Sequence, residues 1–155
     1  MMNFDIDEVK QYISASTMES KIYLGGDSER LLNNGVWYAD YATVVIIHIN
    51  GKHGCKIFGE VTRERDYDQR LNKPSLRLMT EVTKVAQLYF QLVDVIGSRS
   101  CEIHLDLNPN EKYGSSCVVS QAVGYIMGTC NMRPIVKPFS FAATIAADRF
   151  KELAA

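Results

Sequence analysis

Apolar and polar positions alternate along this chain in two periods, and the changes of period mark its elements. Phe4, Val9, Tyr12 and Ile13 form a stripe at helical spacing. That predicts a short amphipathic helix over residues 4–16, capped by Asp5 or Asp7. Lys21-Ile-Tyr-Leu-Gly-Gly-Asp27-Ser28 reads as a strand running into a turn, with two glycines where another backbone or a ligand comes close. A β-branched run within Trp37–Asn50 predicts a second strand, Asn50-Gly51 a hairpin turn, and His53–Thr62 the return strand. Arg63–Lys73 is charged and aperiodic and reads as a mobile loop. Pro74-Ser75 opens a long helix over Leu76–Ile96, closed by Gly97.

Cys101–Leu107 alternates as a fourth strand, and Asn108–Gly114 is a loop. Ser115 or Ser116 caps a helix that runs to about Gly128. Met132–Val136 reads as a last short strand, broken at Lys137-Pro138. Ser140 then caps an Ala-rich terminal helix to about Leu153. The order is α, β, β, β, α, β, α, β, α. An early antiparallel hairpin followed by αβαβ implies a mixed sheet with helices on its faces.

With 155 residues the chain makes one domain, 1–155, in which residues 1–18 form an N-terminal helical extension. A net charge of −1 sets up no polybasic field for unspecific nucleic-acid or membrane binding. Cys55, Cys101, Cys117 and Cys130 form no CxxC and have no His at zinc-finger spacing, so they read as free thiols of a reducing compartment. The N-terminal MMNFDIDEVKQ is acidic and amphipathic rather than a signal peptide, and no apolar run approaches a membrane span. The reading is a cytoplasmic protein with no membrane partner.

Four acids occupy places where a packed α/β domain would rarely put them. Glu81 falls three residues after Leu78 and four before Val85, inside the apolar stripe of the long helix. Asp27 ends the first strand-like run and Asp106 the fourth. If those two strands are parallel neighbours, the two carboxylates lie about 4.8 Å apart and must share a proton or a cation. Asp148 shares a face of the terminal helix with Phe141 and Ile145. Taken singly, each has a plain alternative: a snorkelling Glu, turn acids at Asp27 and Asp106, a surface Asp beside Arg149. His104 shares a strand face with Asp106, where it is a proton shuttle or simply a half-buried histidine. Lys112, Tyr113 and Lys137 follow strand ends, where a phosphate backbone could pass.

Tyr23-Leu-Gly-Gly-Asp27-Ser28, Glu81, Ile103-His-Leu-Asp106-Leu-Asn108, and Val136-Lys-Pro-Phe-Ser-Phe-Ala-Ala143 with Ala147-Asp148-Arg149 together resemble the YkuK-type family of ribonuclease H-like proteins. The resemblance spans about residues 20–150. It implies a five-stranded mixed sheet, three strands antiparallel and two more parallel to the first, with helices on both faces. It implies a nuclease or related phosphodiesterase acting on RNA, an RNA–DNA hybrid or DNA. Two Mg²⁺ or Mn²⁺ ions would be held centrally by Asp27 and Asp106 and outside by Glu81 and Asp148. His104 would assist, and Ser28, Lys112 and Lys137 would meet the nucleic-acid substrate. The first strand departs from the expected pattern, reading Gly-Gly-Asp-Ser-Glu where Gly-Thr-Asp-Ser-Gln is expected. The alternative is a catalytically silent module of the same fold that binds a protein or nucleic acid. The chain is too short for a two-lobed ATPase of actin type.

Overall fold

The computed structural model describes residues 3–68 and 74–154, with side chains through Phe150. Three long strands form the sheet's antiparallel part: β1 (Lys21–Asn33), β2 (Val36–His48) and β3 (Cys55–Arg65). The fourth strand, β4 (Ser100–Leu105), lies parallel to β1 on its other side, so the order is β3-β2-β1-β4. Helices α1 (Ile6–Ala15), α2 (Ser75–Ile96) and α3 (Val119–Cys130) cover one face, and α4 (Phe141–Ala154) crosses the other. Among the described residues, no helix is long and apolar enough to cross a membrane.

Strand alternation divides the core cleanly. Ile22, Leu24, Val45 and Ile47 point to α2, while Val44 and Ile46 point to α4. The expected N-terminal extension belongs to the first of these cores, where Val9 and Ile13 of α1 are fully buried. Asp5 caps α1 by accepting from Asp7 N at 2.9 Å, and Gly97 ends α2 at φ 55°.

Three expectations need correction. β1 does not turn at Asp27. It runs on to Asn33, pairing Asp27 with Ala42, and turns at Asn34 and Gly35, both at positive φ (50° and 77°). The continuation hid in the sequence because Ser28–Asn33 shows no apolar alternation, and Arg30 finds its ion-pair partner far along the chain. Arg30 Nε lies 2.5 Å from Asp66 Oδ2, and its guanidinium 4.3 Å from the Trp37 ring centre.

Nor does all of Arg63–Lys73 form a loop. Arg63–Arg65 complete β3, and Arg63 grips Asp40 on β2 with two bonds of 2.7 and 2.9 Å. Asp68 is buried and caps α2, accepting from Leu76 N and Arg77 N at 2.9 and 2.8 Å. Residues 69–73 of that expected loop lie outside the described residues.

The sheet has four strands, not five. The stretch expected as a fifth strand contributes one parallel bridge, Ile135 to His104. Ile135 N donates to Ile103 O at 2.8 Å, and Ile135 O accepts from Leu105 N at 2.9 Å. Beyond that rung the pairing loses register. Lys137 N still reaches Leu107 O at 3.0 Å, and this anchors the Lys137 side chain beside the end of β4.

The paired glycines have separate jobs, one on each face. A Cβ on Gly25 would lie 2.6 Å from the Ala142 carbonyl carbon and oxygen, so α4 rests directly on the strand backbone. A Cβ on Gly26 would meet the Val85 Cγ2 of α2 at 2.5 Å. The first clash is with backbone, which cannot swing aside. Gly25→Ala is therefore expected to destabilise by about 3 kcal/mol, lowering Tm by roughly 6–12 °C in thermal unfolding. A Tm within about 1 °C of the parent would contradict this packing.

Candidate functional site

The site forms where the sheet loses a strand. β4 ends at Leu105, paired with Gly26, while β1 runs on, so Asp27 and Asp106 follow as the next neighbours across the parallel pair. Both share the sheet face of Gly25 and His104, against which the start of α4 packs. Burial, then the neighbouring Asp106 carboxyl, then the Glu81 charge push the Asp27 carboxyl up to about 9. Lys137 Nζ sits 2.6 Å from Asp106 Oδ1, and that bond raises the lysine's own pKa. The raised Asp27 carboxyl is thus the one of the pair that Lys137 does not bridge.

Glu81 approaches from the other face of β1. It is 1% exposed, as its phase in the α2 stripe predicts. Its Oε2 accepts from Ser28 Oγ at 2.7 Å, and its Oε1 is buried without a hydrogen-bond partner. Burial is the main cause that lifts its pKa to about 8, with the Ser28 bond opposing. Arg77, one turn before Glu81 on α2, donates from Nη1 to both the carbonyl and the hydroxyl oxygen of Ser28, each at 2.9 Å. Arg77–Ser28–Glu81 is one connected chain of hydrogen bonds.

These groups border an open cleft of about 610 Å³. Asp27, Ser28, Asp106 and Lys137 line it, Pro74, Arg77 and Leu78 form one wall, and residues 111–117 form the other. The structure brings Asp27, Asp106 and Glu81 close enough to perturb one another and places Ser28, Lys112 and Lys137 around them. It does not bring in Asp148, which is exposed on α4 and is not among the residues lining the cleft.

His104 is also absent from the lining. Its Nδ1 accepts from Ala142 N at 3.2 Å and its Nε2 meets Glu102 Oε2 at 2.8 Å, with the Tyr23 and Phe141 rings packed on it. With both nitrogens engaged, it ties β4 to the start of α4 and has no free position for a proton relay. Sequence reasoning did not single out Arg77 as part of the site. Its spacing of four before Glu81 was the available signal.

Among the described residues, no group of three or more His, Cys, Asp or Glu side chains is gathered as a metal site. The Asp27–Asp106 pair nonetheless suits a hard divalent cation. Both ligands are carboxylates, they repel when both are ionised, and the orphaned Glu81 oxygen stands behind them. A family model described as Ribonuclease H-like matches residues 5–152. No curated protein and no solved structure matches the chain.

Proposed function

Because the chain belongs to the ribonuclease H-like family, we propose that it is a divalent-metal-dependent nuclease or related phosphodiesterase acting on RNA, an RNA–DNA hybrid or DNA. The family itself points to a nuclease-like or nucleic-acid-binding role. The observation that carries the finer reading is the neighbouring, half-buried carboxyl pair Asp27–Asp106 in a cleft that also holds Lys137, Lys112 and Arg77. A carboxylate pair that cannot ionise fully by itself is a site prepared for added positive charge.

Asp27 and Asp106 would hold Mg²⁺ or Mn²⁺. At such a site the ion supplies Lewis-acid polarisation of a phosphodiester and a lowered pKa for water. The chain's own residues do the rest. Asp27 gives up its proton to become a ligand. Lys137 keeps protons to spare beyond the one it gives Asp106, and these face an incoming phosphate. Arg77 fixes Ser28, and Ser28 fixes the Glu81 carboxyl one residue along from Asp27. The residues present fit one ion at the aspartate pair. They do not assemble the four-carboxylate set for two, since Asp148 is not at the cleft and Ser28 engages Glu81.

The second reading, a catalytically silent binding module, is favoured by one observation: Lys137 already supplies Asp106 with a cation. Two measurements separate them. Mn²⁺ soaked into crystals is expected between Asp27 and Asp106, and Mn²⁺ or Mg²⁺ is expected to stimulate cleavage of at least one of RNA, hybrid and DNA. Metal at the pair with no cleavage of any of the three would leave the silent module. No metal at the pair would remove the nuclease reading altogether.

A further inference from the structure

The loop wall of the cleft carries a feature the metal chemistry does not use. Tyr113 is a large aromatic left 48% exposed at the mouth of a polar cleft. Its backbone is held firmly. Tyr113 N donates to Asn110 O at 3.0 Å, its carbonyl accepts from Ser116 N at 3.1 Å, and Asn108 N donates to Ser115 Oγ at 2.9 Å. Thus the position of the ring is set while its surface is open. Lys112 Nζ lies 5.6 Å from the ring centre, so a cation and an aromatic face are presented side by side. Across the cleft stands Arg77, whose Nε is buried with no hydrogen-bond partner.

Size and charge then limit what can enter. A cleft of about 610 Å³ is on the scale of a small ligand, room for roughly two to four nucleotides of one strand. Duplex binders neutralise long phosphate tracks, often roughly 6–10 contacts. Here the chain's net charge is −1, and among the described residues the cations lining the cleft are Arg77, Lys112 and Lys137. An aromatic ring in a cleft wall can stack only on a base that is out of its own helix.

We propose that the cleft takes single-stranded nucleic acid, and that Tyr113 is the platform on which one base stacks beside the carboxylates. This rests on the nucleic-acid reading of the site given above. Lys112 and Arg77 flank the strand's phosphates, while the sugar–phosphate link next to the stacked base comes to Asp27 and Asp106.

Fluorescence anisotropy on the intact protein in Ca²⁺ tests it, with labelled mixed-sequence RNA and DNA hexamers against 16-base-pair RNA, DNA and hybrid duplexes. One of the hexamers is expected to bind at least about tenfold tighter than any duplex, with the RNA and DNA arms identifying the sugar. Its log K against log salt is expected to have a slope near about −2, as three contacts on a single strand predict. Tyr113→Ala is expected to weaken that hexamer about tenfold without changing Tm, and Tyr113→Trp to restore it. Equal or tighter duplex binding, an unaffected Tyr113→Ala protein, or no binding of any probe overturns the proposal. Single-strand preference without Mn²⁺-stimulated cleavage keeps it and removes the nuclease reading. Cleavage confined to duplex or hybrid does the reverse.

Discussion

Asp27→Asn and Asp106→Asn proteins are each expected to lose the proposed Mn²⁺-stimulated cleavage by more than about a hundredfold, and the double variant to lose little beyond either single one. Removing a partner that merely orients a metal ligand costs roughly 10–100-fold, and these two residues are the proposed ligands themselves. Non-additivity is expected because two neighbouring carboxyls that would hold one ion act as a unit. For Asp27→Asn the loss is not a folding defect, since an amide replaces a half-buried carboxyl whose pKa is raised to about 9. Circular dichroism should therefore show a Tm equal to or above that of the parent. Asp106→Asn gives up the Lys137 ion pair and is expected to lower Tm slightly. Cleavage within about threefold of the parent in either single variant would sink the assignment of this pair.

Without divalent cation the protein is expected to become less stable as pH rises, and added cation is expected to restore it. The folded-state pKa values of Asp27 and Glu81 are raised, from 3.8 to about 9 and from 4.5 to about 8. The folded state therefore holds protons that the unfolded chain has already released. Their contribution is fully present below about pH 4 and is lost as pH climbs through the folded values, so the window is about pH 4 to 9. In EDTA, Tm is expected to fall across its upper part, pH 6 to 9. Asp27→Asn should flatten the fall. Saturating Mn²⁺ at pH 8 is expected to raise Tm by about 5 °C, equivalent to roughly 2 kcal/mol for a chain of this size. A Tm in EDTA that is level or rising between pH 6 and 9 would contradict the raised carboxyls of the site.

Much of this site was legible before any coordinates. Glu81 was legible because helical phase is a local property: three after Leu78 and four before Val85 leaves a residue nowhere to go but inward, and it is 1% exposed. The closeness of Asp27 and Asp106 was legible only as a condition on strand neighbours, and the parallel pairing of β1 with β4 meets that condition. The reach of β1 beyond Asp27 was not. Its continuation is stabilised by partners such as Asp66 and Trp37, which a local pattern does not contain. Asn34-Gly35 carries the same turn chemistry as Asn50-Gly51, but it follows residues without apolar alternation. The fifth strand failed for the opposite reason. Its alternation was adequate, but among the described residues it meets β4 in register at Ile135 alone, which a local pattern does not show.

By itself the sequence determined the existence of the helices and of the first four strands, their αβββαβ order, the buried phase of Glu81 in α2 and the identity of the acids, because these depend on periodicity and side-chain chemistry within a few residues. Tertiary structure alone decided which charges meet. It ended β4 one residue before Asp106 while β1 continued, set Lys137 on Asp106, joined Arg77 to Ser28 and Ser28 to Glu81, and left Asp148 out of the cleft. Those outcomes follow from strand register and from helices crossing the sheet, so they bring together side chains that are tens of residues apart and leave no periodic trace in the chain.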